Sequence, residues 1–142
     1  MKKLLVVAAI VLAAVIVFFA ARHFLEDKED LSGTWVVVAM EKDGDRLSPK
    51  QLAVKGLHFE KDIVVWLILS QGDIREFPGP FQANPAKNPK EIDLADPKTK
   101  ATTRGIYEIK DGALVLCLGL GKTRPDEFTS ERGNVIMVLK RQ

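Results

Sequence analysis

Cys117 is the single cysteine of a 142-residue chain that also holds two histidines, His23 and His58. A thiolate nucleophile needs a base within hydrogen-bond reach, and neither histidine is placed near Cys117 by sequence spacing. Cys117 therefore reads as a buried, inert thiol. Two histidines and one cysteine without the pairwise spacing of a zinc site do not make a metal set. Asp43-Gly44-Asp45 offers two carboxylates but lacks the further ligands of a calcium loop, so it reads as a turn. Gly121-Lys122-Thr123 looks like the end of a phosphate loop. However, Leu116 stands where the first glycine of that loop belongs, and Pro125 blocks the helix whose N-terminus would hold phosphate. With no acid, base and nucleophile gathered in one motif, the chain is not read as an enzyme. No metal or cofactor is expected.

Binding chemistry has more to work with. Arg124 and Glu127 fall in one loop, where they can line a ligand mouth or simply brace the turn as an exposed ion pair. Tyr107 lies on a predicted strand beside Glu108. Their side chains point to opposite faces, so at most one of the two looks inward. Trp35 and Trp66 are large apolar side chains on predicted strands, and both are candidates for the core.

These residues must be positioned by the domain that follows an apolar start. Met1, Lys2 and Lys3 precede Leu4 to Ala21, a run with no polar side chain. At about 1.5 Å per residue this run spans roughly 27 Å as a helix, close to the ~30 Å hydrocarbon core of a bilayer. A cleaved secretory signal fits less well: a cut after Ala21 puts Phe19, and a cut after Ala20 puts Phe18, where a small residue is required. Residues 1–21 are thus expected to form a transmembrane anchor, with a signal peptide as the alternative. Lys2, Lys3 and the terminal amine outweigh Arg22 and Lys28, which favours a cytoplasmic N-terminus and an exported domain. The expected location is a bacterial cytoplasmic membrane, with the domain facing the periplasm or exterior. Cleavage would release that domain into the periplasm. Residues 22–30, with Glu26, Asp27, Lys28, Glu29 and Asp30 in one run, read as a charged juxtamembrane linker.

Residues 31–142 are long enough for one domain and too short for two ordinary ones. Four of the chain's 21 Lys and Arg and four of its 19 Asp and Glu precede Leu31, leaving 17 and 15 in the domain. That balance, without single-sign blocks, gives no footprint for nucleic acid. A lone cysteine allows no internal disulfide, so packing must hold the domain together.

About eight short β-type segments recur with turn signals between them, the pattern of an antiparallel sandwich or barrel. Thr34 to Glu41 ends at Asp43-Gly44, which supplies the positive φ of a tight hairpin. A short helix is expected next, with Ser48 as N-cap, Pro49 at the first position, Gln51 completing a capping box and Gly56 closing it. Leu57 to Glu60, Ile63 to Ser70 and Ile74 to Phe77 read as strands. From Pro78 to Pro97 five prolines leave only edge-like pieces, around Phe81 and at Ile92 to Leu94. Thr103 to Lys110, the Asp111-Gly112 turn and Ala113 to Leu118 form the clearest hairpin. Asn134 to Arg141 closes the fold.

Several of these segments together carry a resemblance. Gly33-Thr34-Trp35-Val36-Val37, Asn88-Pro89-Lys90-Glu91-Ile92-Asp93-Leu94, Gly105-Ile106-Tyr107-Glu108, Leu114-Val115-Leu116-Cys117-Leu118, Arg124-Pro125-Asp126-Glu127-Phe128 and the closing Leu139-Lys140-Arg141 resemble the lipocalin-like domain of uncharacterised planctomycete proteins. The resemblance runs from Asp30 to the C-terminus. It implies an all-β fold, a small antiparallel lipocalin-like β-barrel of about eight strands, with no assigned activity. It also implies a barrel-floor pair in which Trp35 plugs one end and Arg141 covers its ring, a structural arrangement. Pro78-Gly79-Pro80 departs from the pattern, and the barrel wall is expected to open there.

Two functions follow as expectations. A tethered barrel can hold a small apolar ligand, with Tyr107, Arg124 and Glu127 as candidate ligand-binding residues, since about eight strands just enclose one. Alternatively, a filled core makes the domain a protein-interaction or cell-envelope structural module with an envelope protein as partner. Small or polar inward residues would mark a cavity, whereas Leu, Ile and Val throughout would mark a plug.

Overall fold

A computed structural model describes residues 31–121 and 123–142. The anchor at residues 1–21, the linker at 22–30 and Lys122 of the Gly-Lys-Thr motif lie outside the described residues. Among the described residues no helix is long and apolar enough to cross a membrane.

Among the described residues nine strands run in the order β1 (Gly33–Lys42), β2 (Asp45–Leu47), β3 (Val54–Glu60), β4 (Ile63–Ser70), β5 (Asp73–Asn84), β6 (Lys90–Ala95), β7 (Thr102–Lys110), β8 (Ala113–Gly119) and β9 (Asn134–Arg141). Each of the main strands pairs antiparallel with its neighbour, and β1 pairs with β9, which closes an eight-stranded barrel. β2 is the extra strand. The first half of β1 pairs with β3 and its last three residues pair with β2, so one strand serves both. A register shift between Val37 and Ala39 lets β1 follow this bend while it stays on β9.

The turns follow from their residues. Asp43 and Gly44 have φ of 52° and 78°, and Asp111 and Gly112 have φ of 54° and 74°. Positive φ at both central positions matches the right-handed twist of the flanking strands, which explains why Asp-Gly recurs at these two hairpins.

The expected helix after Ser48 is a single 3₁₀ turn at Pro49–Gln51, in which the Ser48 amide donates to Gln51 Oε1 at 2.9 Å. The capping residues are sound, but Val54 already begins β3, so Gly56 sits inside a strand instead of ending a helix. Tertiary pairing with β1 and β4 takes those residues from the helix.

The larger correction concerns the prolines. β5 is one continuous strand from Asp73 to Asn84 and passes through Pro78-Gly79-Pro80, joining the predicted Ile74–Phe77 strand to the piece around Phe81. Its first eight residues pair only with β4 and its last four pair with β6. The Phe81 amide donates to the Asp62 carbonyl at the β4 side, 3.0 Å away. Alternation then turns positions 78 and 80 the other way, so both prolines lie where no donor is needed toward β4.

On the β6 side the ladder stops at Phe81 opposite Leu94, one step before Pro80 would face Ala95. The Trp66 indole N–H fills that place and donates to the Ala95 carbonyl at 2.9 Å. A Cβ added at Gly79 would come within 2.8 Å of the Ala95 Cβ, so the two strands also touch there. The expected opening is therefore confined to the hydrogen bonds. The wall itself is closed by an indole and a close backbone approach.

Candidate functional site

Residues in register across neighbouring strands share a face, and their burial identifies the inner one. Trp35, Leu57 and Trp66 lie side by side across β1, β3 and β4, and all three are buried. Continuing round the ring on β7, β8 and β9, Leu114 and Leu139 form one row, while Tyr107, Leu116 and Met137 form the next. Leu57, Leu114, Leu116 and Leu139 are each 0% exposed, and Tyr107 is 1%. Phe59 meets Phe81 edge to face at 4.9 Å between ring centroids, which joins β3 to β5 across the interior. Side chains of this size occupy the space that an eight-stranded barrel has to offer.

At one end of the barrel the structure brings Trp35 and Arg141 together. The Arg141 guanidinium carbon sits 4.3 Å from the centroid of the Trp35 ring, whose residue is 1% exposed. Arg141 Nη1 also donates to the Ser32 carbonyl. The arginine is held by both a π face and a backbone acceptor, and its stem shields apolar surface.

Tyr107 and Arg124 are not brought together. Tyr107 faces inward, in register with Lys90 and Leu116. Arg124 reaches from the β8–β9 loop to the other face of β6 and β7. There Nη2 donates to Asp93 Oδ1 at 2.7 Å, Nη1 donates to the Gly105 and Ile92 carbonyls at 2.8 and 3.3 Å, and Nε lies 3.6 Å from Glu91. Asp93 and Glu91 stand opposite Arg104 and Ile106, one residue out of phase with Tyr107. With four acceptors on one guanidinium, Arg124 clamps the loop to the β6–β7 seam. Glu127 is exposed in the same loop. What Glu127 contributes in the structure is its carbonyl, which accepts from the Thr129 amide at 3.1 Å and from Cys117 Sγ at 3.6 Å.

Cys117 and Ile106 are register partners on the outward face, yet they are 0% and 1% exposed. The β8–β9 loop lies over them: Cys117 Sγ donates to the Thr129 carbonyl at 3.4 Å, and Pro125 and Ser130 are buried. Ser130 fastens the far end of the loop, its carbonyl accepting from Asp43 N and its hydroxyl from Gly44 N, both at 3.1 Å. Burial pushes the Cys117 thiol pKa up, which opposes nucleophilic use.

Two further polar groupings lie outside the sequence-based site, one set by strand register and one by a local turn. Thr34 Oγ1 lies 2.8 Å from His58 Nδ1 across β1 and β3, and His58 Nε2 lies 3.8 Å from Glu60. The Glu60 side chain is 71% exposed, so this chain of polar groups is a solvated surface network. In the β6–β7 loop Asp96 Oδ1 accepts from the Lys98 and Thr99 amides at 2.8 and 2.9 Å. The Thr99 amide, opposed by partial burial and helped by the Lys98 amide, holds the Asp96 carboxyl below its ordinary pKa. Among the described residues no group of three or more His, Cys, Asp or Glu side chains is placed to hold a metal ion.

Comparison with protein-family models, with curated proteins and with solved structures finds no match for this chain.

Proposed function

We propose that this chain is a membrane-tethered, extracytoplasmic lipocalin-like domain whose barrel is a filled scaffold that works through its outer surface. The single observation that carries this is the inner face. Its central rows are mostly Leu, Ile, Val, Met and aromatic side chains at nearly zero exposure, and Gly105, the small residue among them, leaves no chamber, because a Cβ there would meet the Leu118 side chain at 2.7 Å. The tether is supported by the apolar run from Leu4 to Ala21, long enough to span a bilayer. The lipocalin-like assignment is supported by the eight-stranded antiparallel closure and by the Trp35–Arg141 pair at one end.

Native mass spectrometry of the full chain, extracted in a mild detergent and released from the micelle in the gas phase, tests the filled barrel. A clean protein mass, together with no thermal stabilisation by a panel of lipids and apolar metabolites, is the expected result. A co-purified small apolar molecule that leaves on denaturation would replace this reading with a binding barrel in which Tyr107 lines the chamber. Retention in the membrane pellet after alkaline carbonate treatment tests the tether separately.

A further inference from the structure

Ring closure removes the edges that an open sheet leaves unpaired, but along β5 the closure is incomplete. Asp73 to Pro80 pair with β4 alone, while β6 takes only Phe81 to Asn84. The Phe81 amide points to β4, so alternation turns the backbone groups of Ile74, Glu76, Pro78 and Pro80 to the open side. Leu69 agrees with this phase: it stands opposite Ile74, and its own amide turns away from β5 to the Ala53 carbonyl at 2.8 Å. Pro78 and Pro80 have no N–H to offer, which blunts the half of the edge next to the β6 ladder. The other half is not blunted. Among the described residues nothing bonds to the amides of Ile74 and Glu76 on that side, and both residues are exposed.

We infer that this half-edge pairs antiparallel with its own counterpart in a second copy of the chain, about a two-fold axis at Ile74. Such pairing sets one residue opposite its own copy and the residues on either side of it opposite each other. Centred on Asp73, Arg75 or Glu76, it would put like charges face to face, which is destabilising. Ile74 is the one uncharged residue between Asp73 and Glu76. Centred there, Ile74 exchanges two N–H···O=C bonds with its copy, since its amide and carbonyl face the edge. Asp73 then lies opposite Arg75 of the second copy, and Arg75 opposite Asp73 of the second copy. Both ion pairs fall at non-hydrogen-bonded positions, where cross-strand side chains come closest. Both side chains are exposed and available: Asp73 has no hydrogen bond or ion pair among the described residues, and Arg75 has one long contact, to Gln71 Oε1 at 3.4 Å. On the outer face the same register makes one apolar row of Leu69, Ile74 and their two copies, from residues 40% and 52% exposed. An unrelated strand would use the same backbone groups. What favours a second copy is that Asp73-Ile74-Arg75 read in reverse is its own complement in charge and in apolar surface. The paired stretch is short, so the dimer is weak and fills with concentration.

Pairing at this edge is independent of the filled-scaffold reading. Its test is sedimentation equilibrium of the full chain in a density-matched mild detergent, with micelles in excess over chains, from about 1 μM to about 1 mM. Wild type, Asp73→Arg and Arg75→Asp are compared. The wild type is expected to show a reversible monomer–dimer equilibrium. Each variant alone sets like charges opposite each other at both symmetric positions, and should raise the dimer dissociation constant at least about fivefold. An equimolar mixture of the two variants restores both ion pairs, so it should give a heterodimer with the wild-type dissociation constant. That recovery also shows that both variants are folded. The charge-swapped double variant, Asp73→Arg with Arg75→Asp, should dimerise like the wild type for the same reason. A wild type that stays monomeric across the range, single variants that dimerise as tightly as the wild type, or failure of both the mixture and the double variant to recover would each overturn the two-fold pairing. A small molecule in the native mass overturns the filled scaffold and leaves this edge as it is.

Discussion

A thiol raised in pKa by burial and covered by a loop can neither ionise readily nor be reached, so Cys117 should behave as a reporter of unfolding. In native protein at pH 8 a thiol reagent such as Ellman's compound should leave it unmodified over the time in which urea-unfolded protein reacts fully. Rapid reaction of the native chain would mean that the β8–β9 loop does not cover it. Asp96 gives the opposite case, a group whose charge is favoured by folding. Its folded pKa is lowered, so its contribution to stability is fully present above the unfolded value of about 3.9 and is lost as pH falls through the folded one. Asp96→Ala should therefore destabilise near neutral pH by about 1 kcal/mol, as lost capping contacts do, with the difference shrinking in acid. Urea midpoints of both proteins at pH 7 and pH 3 check this, and an equal gap at both would remove the carboxylate from the account. Trp35→Ala removes the largest side chain of the closed end and should cost roughly 3–5 kcal/mol. A loss under about 1 kcal/mol would show that the ring is not a core element.

At the scale of elements, the seam between β5 and β6 has the most specific consequence. Pro80 withholds a ladder donor from Ala95, and the Trp66 indole supplies one in its place. Trp66→Phe leaves that buried carbonyl unsatisfied and should cost about 1–3 kcal/mol, with a further loss from the smaller ring. Pro80→Ala restores a backbone N–H at the site, so in the Trp66→Phe background it should recover about 1 kcal/mol that it does not add in the wild type. A double-mutant cycle by urea unfolding measures this coupling, and additivity within about 0.3 kcal/mol would sink it.

The same seam shows why the sequence was legible in some places and opaque in others. Asp43-Gly44 and Asp111-Gly112 mark hairpins by local φ requirements, and the apolar runs at Ile63 to Ser70 and Asn134 to Arg141 give both strands with their observed bounds. β5 was hidden because proline is judged by its missing donor, while whether that donor matters depends on which neighbour the position faces, a property of register. β2 is three residues long and exists only as a continuation of the hairpin from β1. The candidate site divides similarly. Register alone carries Tyr107 inward, whereas four acceptors on β6 and β7 hold Arg124 to the opposite face, away from any role that loop proximity to Glu127 could indicate.

For the molecule as a whole, closure of the ring by β1 on β9 makes the first and last strands direct partners, from Trp35 opposite Arg141 to Lys42 opposite Val135. No strand of the ring can leave without exposing two ladders and part of a single shared interior. Unfolding should accordingly be one cooperative transition, as is usual for a domain of this size. The two tryptophans make this testable, because Trp35 reports the closed end and Trp66 the proline seam. Trp66→Phe leaves Trp35 as the single tryptophan, so its fluorescence isolates the closed end, while far-UV circular dichroism follows the sheet. The two urea curves should superimpose in the wild type and in the variant, shifted together to lower midpoint in the latter. Separation of the curves, with the sheet signal falling before Trp35 emission, would show that the β4–β5 hairpin opens on its own. That outcome is the one a ligand portal would need, since only a seam that opens below the global transition admits a molecule to an interior otherwise packed by its own side chains.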